Sequence, residues 1–170
     1  YFQGALVPKD EQKAYYWYQK AANLGSPRAQ FYMAYFSKTG KFFEQNYPMA
    51  FSWYLKSAEQ GYVDAQYFVG YYYEKGRGIK QDFKRSFYWY TRAANQGEGI
   101  SQYRLGYDYY KGIGTPKDIM KSYFWTLLAV KNDIGGALAL KQQIEKALST
   151  EDIQMAEQKV SVWQPVAEKK

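Results

Sequence analysis

The side chains best suited to binding an anion lie close together at positions 75–85, where two glycines alternate with basic residues. These residues are Lys75, Gly76, Arg77, Gly78, Lys80, Lys84 and Arg85. A glycine-rich turn at a helix N-terminus can direct several backbone N–H groups at a phosphate. However, no strand is predicted before this turn, and it recurs as Gly112-Ile113-Gly114 without the basic residues. We therefore interpret the glycines as residues that adopt a positive φ between two helices, and not as a phosphate site.

The residue types that most often perform catalysis are missing from the chain. It contains no cysteine and no histidine, which excludes disulfides, thiolate nucleophiles, Cys/His metal sites and the commonest general base. Carboxylates, lysines, serines and tyrosines remain, but no pair of carboxylates stands out in the sequence. We therefore predict a protein that is not an enzyme and that uses no metal or other cofactor.

The composition is that of a folded, basic and unusually aromatic protein. Of its 170 residues, 46% are hydrophobic and 21% are aromatic, including 20 tyrosines, and the formal net charge is +7. No apolar run approaches the roughly 20 residues that a membrane span requires. The positive charge would suit an acidic partner or an anionic surface, although solvated helix faces and turns are the simpler explanation. The aromatic content calls for a structural or a recognition role.

Several residue types recur at intervals of 36 residues, with no insertion in three successive periods. The recurring positions are Trp17, Trp53, Trp89 and Trp125; Gly25, Gly61 and Gly97; Gln30, Gln66 and Gln102; and Gly40, Gly76 and Gly112. A period of this length is typical of an array in which each unit buries its apolar face on the next one. The tryptophans and the Ala-Ala pairs that follow them are therefore predicted to be core residues.

Each period contains two predicted helices. In the central period the first helix covers residues 64–75 and ends at Gly76, with small residues along one face that favour close packing. The second helix ends at Gly97, where a left-handed residue can close the last turn. A short polar side chain that can cap the N-terminus recurs before every second helix. The expected N-cap residues are Asp10, Asn46, Asp82 and Asp118.

The phased positions of the central period resemble the Sel-one-like repeat (SLR), a relative of the tetratricopeptide repeat. They are Ala65-Gln66, Val69-Gly70, Tyr73, Gly76-x-Gly78, Asp82, Trp89-Tyr90, Ala93-Ala94 and Gly97, and the resemblance covers about residues 6–164. It implies an all-α fold, a right-handed α-solenoid of antiparallel helix pairs with a 36-residue period. The expected divisions are 1–4, the remnant of a cleaved purification tag; 5–25, the second helix of a truncated first repeat; 26–61, repeat 1; 62–97, repeat 2; 98–133, repeat 3; 134–164, C-terminal capping helices; and 165–170, a tail.

Two features depart from this repeat pattern. Phe42 replaces the second turn glycine of repeat 1, so that turn is expected to differ from the others. Because Pro8-Lys9-Asp10 matches Pro116-Lys117-Asp118 three periods later, the sequence starts inside a repeat. Either further repeats or a leader preceded this start, and we favour further repeats.

The first helix of each pair lines the concave face in tetratricopeptide-like arrays, so the exposed positions of these helices are candidates for binding. We predict a groove formed by Phe31, Tyr35, Lys38, Tyr67, Tyr71, Glu74, Tyr103, Tyr107 and Tyr110, with Lys75 and Lys111 at its edge. Its aromatic residues stand in pairs at i, i+4 spacing, which places each pair on one helix face. Tyrosine supplies a large, rigid contact area with a polar tip. The alternative is that these tyrosines pack on each other and only cover apolar surface.

A second aromatic face is expected beside the groove, on the same helices. It comprises Tyr32, Phe36, Phe68 and Tyr72, and the third repeat places Arg104 and Asp108 there instead. Because Arg104 and Asp108 are four residues apart on one helix, we expect them to form a surface ion pair, worth about 0–1 kcal/mol.

The predicted function is that of a scaffold which binds another protein or a peptide segment in the groove. The partner should be apolar or aromatic, with an acidic flank that faces Lys75 and Lys111. Recognition of a free C-terminus is not expected, because the related clamps use Lys and Asn where this chain has Phe and Tyr. The resemblance implies a bacterial adaptor, virulence or effector-neutralising (immunity-type) protein, located in the periplasm or envelope or secreted.

Two alternatives use the same residues in other ways. A basic, tyrosine-rich surface could bind nucleic acid or another anionic surface, although we disfavour this reading, and such binding would weaken steeply with salt. Exposed aromatic rings could also bind cell-wall carbohydrate.

Overall fold

The computed structural model describes residues 10–168, and this part of the chain contains nine helices and no strand. The helices are α1 (Glu11–Asn23), α2 (Pro27–Thr39), α3 (Tyr47–Glu59), α4 (Val63–Lys75), α5 (Phe83–Asn95), α6 (Gly99–Lys111), α7 (Ile119–Lys131), α8 (Ala137–Glu145) and α9 (Thr150–Val162). The predicted tag remnant at 1–4 lies outside the described residues, as do residues 5–9 and 169–170.

From α1 to α8 each helix packs against the next one along the chain, so the array is an α-solenoid built from helix pairs. The pairs are α2 with α3, α4 with α5, and α6 with α7, and the stack continues because α3 packs on α4 and α5 on α6. Helices α8 and α9 both pack against α7 at the C-terminal end. The first helices of the three pairs begin at Pro27, Val63 and Gly99, which confirms the predicted 36-residue period.

The predicted N-caps of the second helices are all formed. In each case a side-chain oxygen accepts a hydrogen bond from the backbone N–H three residues later, at 2.8–3.0 Å. The pairs are Asp10 with Lys13, Asn46 with Met49, Asp82 with Arg85, and Asp118 with Lys121. These bonds satisfy a backbone N–H that has no partner inside the helix, which explains why the same residue types recur.

The glycine turn between the two helices of a pair is a packing element. Gly76 ends α4 with φ +65°, and Gly78 follows with φ +69°. A Cβ atom at Gly78 would lie 2.6 Å from the backbone nitrogen of Pro48, at the start of α3. Glycine is therefore required here both by φ and by the close approach of the neighbouring repeat. In repeat 1 the ring of Phe42 takes this place and packs 4.8 Å from the ring of Tyr15.

In the core, aromatic rings of one helix pack opposite small residues of the neighbouring helix, so that the rings can lie directly against its backbone. A Cβ atom at Gly70 of α4 would lie 2.7 Å from a ring carbon of Tyr90, which is fully buried on α5. Trp89 and Trp125 are buried as predicted. Trp17, in the first described helix, is instead 57% exposed, and Trp53 is half-buried. The two buried tryptophans pack in clusters with residues of the repeat before their own.

Candidate functional site

The predicted groove residues lie on α2, α4 and α6, and none of them is fully buried. Tyr35 is 43% exposed, and Lys75 and Lys111 are exposed as well. The remaining members are half-buried, namely Phe31, Lys38, Tyr67, Tyr71, Glu74, Tyr103, Tyr107 and Tyr110. We call the surface formed by the aromatic residues of this set the aromatic face.

The rings of the aromatic face are anchored to the core beneath them. Phe31 contacts the rings of Tyr54 and Tyr62, with centroids 5.5 and 5.3 Å away. The ring of Tyr67 lies 6.0 Å from that of Tyr90 on the paired helix α5. These two rings are thus held by packing on one side, and both remain partly open to solvent.

Helix α8 covers part of the C-terminal end of the aromatic face. Tyr103, Tyr107 and Tyr110 pack against a buried cluster that includes Leu140 and Ile144 of α8. The more open part of the aromatic face therefore lies on α2 and α4, around Tyr35 and Tyr71.

Cationic side chains lie over rings of the aromatic face in the second and third repeats, and over a neighbouring ring beside the first. The guanidinium of Arg77 lies 5.3 Å from the ring centroid of Tyr71, and the Lys38 ammonium lies 4.8 Å from that of Phe68, which borders the aromatic face. Lys111 lies 5.0 Å from the ring of Tyr110. Burial lowers the pKa of Lys38, and the nearby charge of Arg77 adds to this effect. The surface therefore combines aromatic area with positive charge.

Glu74 is engaged by neighbours from its own repeat and from the next one. Its carboxylate accepts a hydrogen bond from the Tyr90 hydroxyl at 2.7 Å and pairs with the Lys75 ammonium at 2.7 Å. The Arg104 guanidinium approaches it at 3.6 Å from α6. Burial opposes the ionisation of Glu74, but the hydrogen bonds from Lys75 and Tyr90 outweigh it and lower its pKa. Glu74 thus stabilises the array, and its carboxylate already has partners.

The expectation of a surface ion pair between Arg104 and Asp108 is wrong. Arg104 pairs with Glu74 of the preceding repeat, and Asp108 is only 8% exposed. Burial, together with the charge of Glu74, raises the pKa of Asp108 to about 7, while Arg104 acts in the opposite direction. The physical reason is that Asp108 turns into the stack, where water does not solvate a carboxylate, whereas the Arg104 side chain is 30% exposed and reaches Glu74.

The expected second aromatic face is largely core. Phe36 and Tyr72 are fully buried, and Phe68 stacks on Tyr54 of α3 with centroids 4.8 Å apart and planes 11° from parallel. Phe36 and Tyr72 fill the space between successive helices and are not available to a partner, whereas Phe68 and Tyr32 are half-buried.

A ladder of side-chain amides runs through the array, beyond the interactions that were predicted from the sequence. Gln30, Gln66 and Gln102 each donate from Nε2 to the carbonyl of an alanine near the end of the preceding second helix, at 3.2–3.3 Å. Each Oε1 accepts a hydrogen bond at 2.7–2.8 Å, from Gln60, Gln96 and Asn132 respectively. The donors also recur every 36 residues, and this was the signal that could have identified the ladder.

Neither a metal site nor a membrane span is found between residues 10 and 168. In this part of the chain, no three His, Cys, Asp or Glu residues are placed to hold a metal ion together. No helix there has the length and apolar character needed to cross a membrane.

Comparison with known proteins gives one consistent result. The family model of the Sel1 repeat matches residues 1–26, 27–62, 63–98 and 99–133. The crystal structure of a Sel1 repeat protein from Oxalobacter formigenes is similar, with a TM-score of 0.70 and 36% identity over 74% of this chain and 95% of that chain. A protective antigen present in uropathogenic Escherichia coli strains, which displays an SLR fold, gives a TM-score of 0.59 and 28% identity. This match covers 95% of the present chain and 43% of the antigen. No curated protein sequence matches the chain.

Proposed function

The chain belongs to the Sel1 repeat family, and on that premise we propose that it binds a partner protein through its aromatic face. Sel1 repeat proteins are generally non-enzymatic scaffolds for protein–protein interaction. The observation that carries the proposal is the pairing of Tyr71 with Arg77, a partly open ring under a guanidinium 5.3 Å away. Such a pair offers a partner an aromatic surface and a charge at the same place.

The packing of the aromatic face supports tight binding. Because the rings of Phe31 and Tyr67 are held by core aromatic residues, they lose little conformational freedom when a partner docks. Rigid aromatic and arginine side chains are the residue types that contribute most to protein interfaces. Lys38 and Arg77 favour a partner segment in which acidic side chains accompany apolar or aromatic ones.

A selection from a library of random peptides displayed on phage tests this proposal. The wild-type protein should enrich sequences that combine aromatic and acidic residues, and the variant Tyr35→Ala/Tyr71→Ala should lose most of that enrichment. Tyr16→Ala is the matched control, because Tyr16 is an exposed tyrosine on α1 and belongs to neither the aromatic face nor its supporting rings. Equal enrichment by all three proteins would overturn the proposal.

We also propose an envelope-associated or secreted role of the adaptor, virulence or effector-neutralising type. The support is the similarity to the E. coli protein, which is a protective antigen. Fractionation of the native cells, followed by detection with an antibody, tests the location. Recovery with the cytoplasmic proteins alone would contradict it.

A further inference from the structure

The chain that follows α9 runs back along the array. We call residues 163–168, which include the described part of the predicted tail at 165–170, the tail, and they have no regular secondary structure. The Trp163 ring packs edge-on against that of Trp125 on α7, with centroids 6.4 Å apart. The backbone N–H of Val166 donates to the carbonyl of Asn95, at the end of α5, at 2.9 Å. The tail therefore crosses from the last repeat towards the preceding ones.

Glu168, the last described residue, is held by a carboxylate site of the central repeat. Arg92 donates to both of its carboxylate oxygens, from Nε at 2.7 Å and from Nη2, and Gln66 donates from Nε2 at 3.0 Å. The Arg92 and Glu168 side chains are only 22% and 25% exposed. Hydrogen bonds from Arg92 lower the pKa of Glu168 and outweigh its burial. This two-point arrangement is the geometry in which arginine binds carboxylates best.

The donors of this site are held by their own neighbours. The guanidinium of Arg92 lies 4.6 Å from the ring centroid of Trp89, and so it is stacked in place. Gln66 is fixed by its position in the amide ladder, where it also bonds the Ala58 carbonyl and the Gln96 amide. The site is thus built by the repeat and does not depend on the tail for its shape.

Turn glycines provide the path on which the tail lies. A Cβ atom at Gly97 would be 3.2 Å from Pro165, and one at Gly61 would be 3.5 Å from Glu168. Both glycines have a positive φ, of +94° and +85°. Because they carry no side chain, an extended strand can pass close to the turns of two successive repeats.

The same arrangement recurs one repeat earlier and is open there. Gly25, Gln30 and Lys56 occupy the positions 36 residues before Gly61, Gln66 and Arg92. The Lys56 ammonium lies 4.6 Å from the Trp53 ring, and no acidic residue between 10 and 168 forms an ion pair with it.

We propose that the edge formed by these turns is a second binding surface, which takes an extended acidic peptide of another protein in the place that the tail occupies. The tail defines the ligand chemistry: a proline over a turn glycine, followed three residues later by a glutamate in the site of Arg92 and Gln66. The peptide of the other protein competes with the tail for this surface, so the tail limits the access of that peptide to the surface. This surface is separate from the aromatic face and does not depend on it.

Binding of a fluorescent peptide that copies residues 161–168 tests the proposal on the full chain. Glu168→Ala weakens the hold on the tail, so this variant should bind the peptide at least tenfold more tightly than the wild type does. Adding Arg92→Ala to that variant should reduce the affinity at least tenfold, whereas adding Lys84→Ala should not. Lys84→Ala is the matched control because it removes an exposed positive charge from the same helix. A copy of the peptide with Gln in place of the glutamate should bind weakly.

Two results would overturn the proposal. One is equal binding of the peptide by wild type, Glu168→Ala and the Arg92→Ala combination, with circular dichroism showing that all three remain folded. The other is a concentration-dependent dimer of the wild type that Arg92→Ala dissolves, because the occupant would then be the tail of a second copy.

Discussion

The hydroxyl of Tyr90 on α5 donates a 2.7 Å hydrogen bond to the carboxylate of Glu74 on α4. This bond joins the two helices of the central repeat at the point where Arg104 of the next repeat also reaches the same carboxylate. The ring that carries the hydroxyl is fully buried against the backbone of α4. Tyr67 of the aromatic face packs on this same Tyr90 ring. The contacts of Tyr90 therefore stabilise the array and also hold a ring of the aromatic face in place.

Gly70→Ala should destabilise the protein. The added Cβ would meet the ring of Tyr90, which is buried and tied to Glu74 and so has little room to move. Overpacking of this kind costs about 1–3 kcal/mol, and the gain in helix propensity returns about 1 kcal/mol, so the unfolding free energy should fall by up to about 2 kcal/mol. Urea denaturation followed by circular dichroism measures the change.

Gly135→Ala is the control for this variant. No atom beyond the adjacent residues lies within 4 Å of a Cβ at that position, and the change should stay within about 0.5 kcal/mol. A loss at Gly135 as large as that at Gly70 would show that backbone effects, and not the Tyr90 contact, dominate.

Asp108 should make the protein less stable as the pH rises from about 4 to about 7. Its pKa is raised from 3.8 to about 7 by burial and by Glu74. In this range the folded protein keeps a proton that the unfolded chain has lost, so the free energy of unfolding falls with rising pH, by on the order of 3 kcal/mol in total. Asp108→Asn, which carries no titrating group, should flatten the profile and be the more stable protein at pH 8.

Urea denaturation at a series of pH values measures both profiles. The acid side provides an internal control, because Asp10, Glu74 and Asp118 have lowered pKa values and lose their stabilising charge as the pH falls below about 4 in both proteins. Parallel profiles for the two proteins between pH 4 and 8 would refute the assignment to Asp108.

Replacing the N-cap Asp82 should cost a measurable amount of stability. Its side chain accepts from the backbone N–H of Arg85 at 3.0 Å, and Asp82→Ala should lower the free energy of unfolding by about 1 kcal/mol. Asp82→Asn keeps the acceptor and should lose much less. If the free energy of unfolding falls by the same amount in both variants, the charge of Asp82 stabilises the protein and its capping hydrogen bond does not.

Gln102→Leu should test the amide ladder apart from the tail. The substitution leaves the Ala94 carbonyl and the Asn132 amide without their buried partner, and the cost of such losses is about 1–3 kcal/mol. Gln142, an exposed residue of α8, is the comparison: Gln142→Leu should change the unfolding midpoint in urea very little. Similar midpoints for the two variants would mean that the ladder contributes nothing to stability.

Much of the fold could be predicted from the sequence because its determinants are local and repeated. Each N-cap acts on a backbone N–H three residues away, and each turn glycine sets the φ of its own residue. Four copies of the tryptophan signal then make the period plain. The same locality placed the predicted groove residues on α2, α4 and α6.

The burial of the aromatic residues could not be predicted in the same way. Phe31 and Tyr35 are both aromatic and lie on one helix face, yet Phe31 packs among core rings while Tyr35 is exposed. The difference depends on which residues of α3 and of the next repeat lie beside each ring. The spacing of residues within one helix does not show which residues of other helices will lie beside a given ring.

The repeat, the helix pairs and their caps can be derived from the amino-acid sequence alone, because these follow from interactions within a few residues, repeated with a fixed period. The pairing of Arg104 with Glu74, the burial of Asp108 and the return of Glu168 to Arg92 are set by the packing of the folded chain. These features join residues of different repeats, or the tail to a repeat, up to 102 positions apart in the case of Gln66 and Glu168. Their partners are chosen by the geometry of the stack, which appears only when the repeats have packed.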